Sequence, residues 1–464
     1  MLTNQRSSSR ITLWVGLASV AIGLIIGFLA GAQPLYLSLA VGAVLIVFYF
    51  FARFEQTVIG LLILRTSLDP FSAQQIPAAF AMGLNALTLL YVVLTLLTGR
   101  TVHTDWFWWI FAGWVMLQGL WVILLPLGGL GLDASFLPDS IREWVRIFSW
   151  LIIYLLVMQL KDRIHPQKFI SLMLLSLVVP VIVGLIMIPG GERVHSTIGH
   201  PNSFATYLSL MMALVWWKLN WTQPRWPWIL LLGLLAVVYV STRSLAALAT
   251  IGVLILVLNA SKLNPLRIIS AVILLLVVIA LFASTEAGQT RLLELTQTPL
   301  FNADMDVSRT MIIAAGDGNS FNWRISHWYY LLQSWQQYPI FGYGIGTGRY
   351  LSPLRNPEGT LYTPHNDYIR FLVEQGILGL VLYLAFIGAQ FAYLLQILRR
   401  APRHSSESQL CQILLAILLS TLVNMLSNNV LDIGDFWFYY WAVFPVAGWG
   451  TERFNRPAQA IQPA

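Results

Sequence analysis

Apolar runs close to twenty residues long recur along nearly the whole chain, from about 12–30 to 434–450. About 20 apolar residues in a helix span a bilayer, so these runs constrain the fold more tightly than any motif does. Of the 464 residues 57% are hydrophobic and only 10% are charged, against about 25% charged in an average soluble domain. A disordered chain is excluded, and a soluble enzyme is a poor fit. A transmembrane β-barrel is excluded as well, because its strands alternate polar and apolar residues and these runs do not. The expected fold is an all-α polytopic membrane protein.

Fourteen helices are expected, at about 12–30, 35–52, 57–68, 79–98, 105–127, 145–160, 169–189, 203–219, 227–241, 245–259, 268–284, 374–398, 408–428 and 434–450. The count falls toward twelve if weak segments fail to cross. The weakest is 57–68, which is short, carries Arg65 and reads equally as a broken or re-entrant segment. Residues 11–32 resemble a signal peptide ending at Ala30-Gly31-Ala32. The stretch is long for one, and a second span follows closely, so a retained helix is expected. Cys411 lies inside an apolar run; as the one cysteine it forms no internal disulfide and no metal cluster.

Lys and Arg in the loops set the orientation. With Arg6 and Arg10 in the cytoplasm, sixteen basic residues fall on that side and eleven on the other. Six of the eleven lie in one long loop, where the rule has little force, so the short-loop comparison is sixteen to five. The formal charge of +7 is therefore a topology signal and not a nucleic-acid footprint. Both termini are expected in the cytoplasm. Three parts follow: helices one to eleven over 1–284, a long outer loop over 285–373, and the last three helices with a short tail over 374–464. There is no internal repeat, P-loop, GxGxxG or HExxH.

The long loop of about ninety residues is the place to look for function. Its stretch Phe321 to Trp335 is helical in pattern, with Arg324, Trp328 and Leu331 on one face, and apolar enough to lie on a membrane surface. Pro339 to Gly348 carries Gly342, Gly344, Gly346 and Gly348 at every second position. That spacing suits a tight turn, or amides presented to phosphate. Thr363-Pro364-His365-Asn366-Asp367-Tyr368 then leads into a span. His365 is either a hydrogen-bonded helix-end residue or a base able to take a proton from a hydroxyl. Asp304, Asp306 and Asp317 read as solvated loop charges.

Two further segments face the same side. One runs from Pro189 through Arg193, His195 and Gly199-His200-Pro201-Asn202-Ser203-Phe204-Ala205. The other is Ser241-Thr242-Arg243-Ser244, a link so short that Arg243 must sit at the membrane boundary. A charge there is a functional-site candidate. For Arg65 and Arg146 the expectation is snorkelling to lipid headgroups. His195 and His200 do not have metal-ligand spacing, and no carboxylate pair has a glycosidase layout. Arginine forks suit phosphate.

The segments Gly199 to Ala205, Ser241 to Ser244, Asn322-Trp323-Arg324 with Trp328, Pro339 to Gly346 and His365-Asn366 to Gly379 occur in one order between spans. In that order they resemble the O-antigen ligase/polymerase superfamily, over roughly residues 190–400. The resemblance implies a GT-C-like glycosyltransferase of the bacterial inner membrane that takes a glycan from an undecaprenyl-diphosphate carrier on the periplasmic face, with no cofactor and no metal, and makes the long loop over 285–373 periplasmic. It implies catalytic roles for His365, Arg243 and Arg324. Arg193, His200, Asn202, Asn366, Tyr368 and Trp328 would bind the diphosphate or glycan. Tyr343, Tyr362, Tyr368 and Trp328 are either sugar-stacking groups or interface aromatics. The expected partners are the lipid-linked glycan and membrane lipid, with a chain-length regulator or the lipid A core. Polymerisation of repeat units is favoured over ligation to a lipid A core because the chain is long for a ligase. Protein O-oligosaccharyl transfer and, from another class, small-anion transport are the alternatives. A transporter should show inverted repeats, which the sequence lacks.

Overall fold

The computed structural model describes residues 34–128, 134–260, 265–299, 302, 310, 320–355 and 361–450. The expected first span at 12–30, Arg6, Arg10, Asp304, Asp306, Asp317 and the tail from 451 lie outside the described residues. Among the described residues the structure is helical, apart from an isolated bridge between Arg355 and Leu361.

The helices are α1 (Pro34–Ala52), α2 (Phe54–Leu64), α3 (Ile76–Leu97), α4 (Trp106–Gly128), α5 (Leu137–Met158), α6 (Pro166–Gly190), α7 (Pro201–Trp221), α8 (Trp226–Ser241), α9 (Leu245–Ala260), α10 (Pro265–Ala283), α11 (Glu286–Thr296), α12 (Ser320–Trp335), α13 (Asp367–Arg400), α14 (Ser406–Asn424) and α15 (Gly434–Val443). Helices α1–α10 and α13–α15 fall on the second to the fourteenth expected segments. By length and composition five are able to cross a membrane: α3, Trp106–Ile123 of α4, α6, α13 and α14. Helices α8 and Ala246–Leu258 of α9 are shorter apolar helices.

Packing explains why apolar residues cover both sides of these helices. On α4, Phe107, Phe111 and Trp114 are buried, and Trp114 stacks on Phe386 of α13 at 4.3 Å. Trp109, Met116 and Ile123, seven residues apart, form an exposed apolar stripe on the same helix. A soluble helix would place charges there; a bilayer is the solvent such a stripe fits. The centre of the core is aromatic, with Trp441 of α15 ringed by Phe107, Phe111, Phe386 and Phe444. Cys411 is buried there as an apolar filler.

The segment 57–68 is broken. Helix α2 stops at Leu64, and a 3-10 stretch containing Pro70 carries the chain from Arg65 to Gln74. Arg65 does not snorkel. Its guanidinium turns inward to Asp69 at 2.5 Å and Asp435 at 3.1 Å. Arg146 likewise turns inward, to Glu143 at 2.8 Å and Asp432 at 2.6 Å. The expectation of snorkelling is overturned at both positions for the same reason: one carboxylate on the neighbouring turn and one distant in sequence lie within reach and offer a closer counter-charge than headgroups do.

Candidate active site

A ladder of asparagines fixes one end of the bundle. Asn424 at the end of α14 donates to Thr206 Oγ1 at 2.9 Å, and Asn428 donates to Asn424 Oδ1 at 2.6 Å. Asn202 donates to Asn428 Oδ1 at 2.9 Å. Asn202 Oδ1 in turn accepts from Ser244 Oγ at 2.7 Å and from Arg193 Nη2 at 3.2 Å. Arg193 Nε also donates to the Thr242 carbonyl at 3.2 Å, and Arg243 Nη1 donates to the Gly191 carbonyl at 2.9 Å. The α6–α7 and α8–α9 links are thereby tied together with both arginines on them. His200 caps α7 by accepting from the Asn202 amide at 3.2 Å.

His365 enters from the other side. Its amide donates to Asn429 Oδ1 at 2.6 Å, and Asn429 Nδ2 donates to Thr363. The next residue, Asn366, caps α13 by accepting from the amides of Tyr368 and Ile369, and donates to the Leu426 carbonyl at 3.0 Å. Tyr368 Oη donates to the Leu422 carbonyl at 2.9 Å. Asn366 and Tyr368 thus hold α13 against α14 and the turn after it. Trp328 Nε1 donates to the Pro364 carbonyl at 2.7 Å, which docks α12 on the segment before His365. Leu331 of α12 is buried beside Tyr343 and Val373, while Tyr329 and Leu332 stay exposed. Both His365 and Arg243 have φ of 49°, a left-handed conformation that costs a non-glycine residue about 1–3 kcal/mol and clusters at functional sites.

Around His365 stand Trp323, edge-on at 5.0 Å, and Tyr362, stacked on Trp323 at 4.1 Å. Arg324 lies over the Trp323 ring at 5.1 Å. Burial pushes the His365 imidazole down to about 3, with help from the charges of Arg324, His200 and His327; Asp432 opposes them. His200 is pushed down to about 4 by desolvation and then by Arg193, Arg324 and His195, although its ring keeps an exposed edge. The structure therefore brings Arg193, His200, Arg324 and His365 into one electrostatic neighbourhood, with Arg243 bonded at its border. Guanidinium groups beside a neutral imidazole can hold an oxyanion and accept a hydroxyl proton.

The glycine-rich segment does something else. Helix α13 is interrupted at Gly376, where φ is 67° and ψ −170°. The break exposes backbone groups of α13, and the segment 339–344 fills it. Tyr343 and Gly344 amides donate to the carbonyls of Val373 and Glu374 at 3.0 and 2.7 Å, and Ile377 donates to Pro339 at 2.9 Å. A Cβ on Gly376 would stand 2.1 Å from the Ile340 oxygen, and one on Gly342 would stand 2.5 Å from the Gln375 nitrogen. The amides of Gly346 and Gly348, candidates for a phosphate cradle, hold the Glu374 carboxylate at 2.9 and 3.1 Å.

Sequence reading does not single out the ion network below this segment. Arg370 pairs with Glu143 at 2.8 Å, Asp432 at 2.7 Å and Glu374 at 3.3 Å. Burial alone would raise Asp432, but Arg370 and Arg146 hold it well below the usual carboxylate range. Nor does it single out His327, which is fully buried and pushed down to about 4 by desolvation. The available signal was acidic residues at the mouths of apolar runs: Glu143, Glu374 and Asp432 each sit within a few residues of one.

Comparison with curated proteins returns no significant match. Residues 228–384, which include Arg243, Arg324 and His365, match the family model described as O-antigen ligase, a similarity consistent with the O-antigen ligase/polymerase superfamily.

Proposed function

We propose that the chain polymerises undecaprenyl-diphosphate-linked repeat units on the periplasmic face of the bacterial inner membrane. The observation that carries this reading is the convergence of Arg193, Arg324, His200 and His365, with Arg243 at their edge. In the proposed step an acceptor hydroxyl oxygen attacks the anomeric carbon of the donor. The bond from that carbon to the diphosphate oxygen breaks, and its electron pair leaves on the diphosphate. The hydroxyl proton passes to His365, and the anomeric carbon inverts. Arg193, Arg243 and Arg324 stabilise the charge growing on the leaving group, which is often the largest catalytic contribution. Diphosphate leaves readily, so no strong general acid is required.

The same chemistry with a lipid A core as acceptor is ligation, and the description of the matching family favours it. One experiment separates the readings. The purified chain in nanodiscs is mixed with a synthetic undecaprenyl-diphosphate repeat unit in the presence of EDTA, beside His365→Ala and Arg243→Ala. A ladder of products from wild type, missing in both variants, supports the polymerase. Single transfer on adding lipid A core makes the chain a ligase. Folded protein that transfers to no glycan or protein acceptor overturns the glycosyltransferase reading.

A further inference from the structure

A cavity of about 220 Å³ is lined by Thr363 and Pro364, the two residues that precede His365. Asp432 lines it, and Asp432 is also the carboxylate whose charge reaches His365. Two neighbourhoods therefore act on His365: the positive field of Arg324 and His200, and the cavity that Asp432 lines. A single-displacement transfer needs two such neighbourhoods, because acceptor and leaving group occupy opposite faces of the anomeric carbon.

The cavity's chemistry differs from that of the arginine face. Its floor alternates cation and anion: Arg146 and Arg370 are both bonded to Asp432 and to Glu143. Fixed donors and acceptors of this kind suit a ring that carries several hydroxyls. At the rim Arg349 pairs with Asp139 at 2.9 Å and lies over Tyr350. Arg142 also lines the cavity, is exposed, and makes no ion pair among the described residues. Four arginines line the cavity against the three carboxylates Glu143, Glu374 and Asp432, and Arg142 is the one of the four without an ion pair among the described residues.

The geometry points to this cavity as the acceptor subsite, taking the terminal sugar of the acceptor glycan and selecting, through Arg142, a sugar with an anionic group. The inference rests on the glycosyl-transfer reading above. Carboxylate and phosphate substituents share the required chemistry, and the test separates them.

The full chain in phosphatidylcholine nanodiscs is titrated with glucuronate, glucose 6-phosphate and glucose, each followed by saturation-transfer NMR. At least one anionic sugar should bind about tenfold more tightly than glucose, the scale of one charge-assisted hydrogen bond. Arg142→Gln should abolish the preference, Arg142→Lys should restore part of it, and inorganic pyrophosphate should not displace the sugar. Glucose binding equally well, an unchanged preference in Arg142→Gln, or displacement by pyrophosphate would each overturn the assignment. Pyrophosphate binding by Arg142→Gln reports that the variant is folded. The transfer assay keeps the two claims apart. Anionic sugars bound through Arg142 in a protein that transfers nothing would leave the cavity standing as a sugar site and remove the enzyme reading. Transfer with an acceptor KM unchanged by Arg142→Gln would do the reverse.

Discussion

Two groups of arginines lie within one end of this molecule, and they are held in different ways. Arg193 and Arg243 donate to neutral oxygens, the carbonyls of Thr242 and Gly191 and the side-chain amide of Asn202. Arg146 and Arg370 donate to carboxylates, Glu143 and Asp432. A carbonyl orients a guanidinium without cancelling its charge, whereas a carboxylate does both. Beyond the effect of burial, His200 is lowered by Arg193 and Arg324, and His365 by Arg324. The second group is largely neutralised, and its role is to fasten α5, α13 and the turn before α15 together. Arginine at a membrane boundary is thus a weak indicator of function until its partners are known.

The largest effect expected from breaking this comparison is on catalysis. His365→Ala should lower kcat by about 10²–10⁴-fold, the range for loss of a general base, with thermal unfolding nearly unchanged. A variant that still turns over within threefold of wild type would remove His365 from the chemistry. The paired group should behave in the opposite way. Arg370→Met strips a cation from buried Glu143, Asp432 and Glu374 and should cost about 3–5 kcal/mol of stability. Arg243→Met, at a partly exposed position bonded to one carbonyl, should cost about 1 kcal/mol or less and act on donor KM instead. Thermal unfolding of both variants in nanodiscs checks this; equal destabilisation would erase the distinction between the groups.

These contrasts also show how far the sequence is legible. Apolar runs locate the helices because hydropathy along a helix is a local property. Their ends are less visible. The run expected from 374 begins at Asp367, because Asp367, Arg370 and Glu374 recur every three to four residues and face inward to partners on other elements. A hydropathy window sees only their polarity. The candidate site was legible where a motif names its own residue, as at Arg243 and His365. It was not legible where the partner is remote: Arg146 and Asp432 are 286 residues apart, and nothing local announces their pairing. The glycine spacing from 342 to 348 correctly signals backbone that needs positive φ, found at Gly342, Gly344 and Gly346. Its partner, the break in α13, is a tertiary feature, and so the amides go to a carboxylate of the chain itself.

That break offers a smaller test of the paired region. Gly376→Ala places a Cβ against the Ile340 carbonyl at a left-handed position. The strain alone should cost about 1–3 kcal/mol, seen as earlier thermal unfolding. A stability equal to wild type would mean that the segment 339–344 is not seated in α13 as described.

The smallest effect concerns the arginines that act on the imidazoles. His365 is lowered to about 3 and so stays neutral through the working range. The sign for stability follows from the unfolded chain, whose histidines titrate at about 6.5. As pH falls below that value the unfolded state takes up protons that folded His365 and His327 refuse. Stability is therefore constant above about pH 6.5 and declines below it. Activity should divide differently. The acid limb of kcat/KM, set by the free protein, should lie near the low value, with a flat profile down to the onset of unfolding. Bound diphosphate offsets the charge of Arg324, so the limb of kcat should move up by about one unit or more toward the ordinary imidazole value. A single shared limb for both parameters would assign the lowering of His365 to burial and leave the arginines no part in it. A limb of kcat that moves, and that stops moving in Arg324→Gln, would assign it to the field of Arg324.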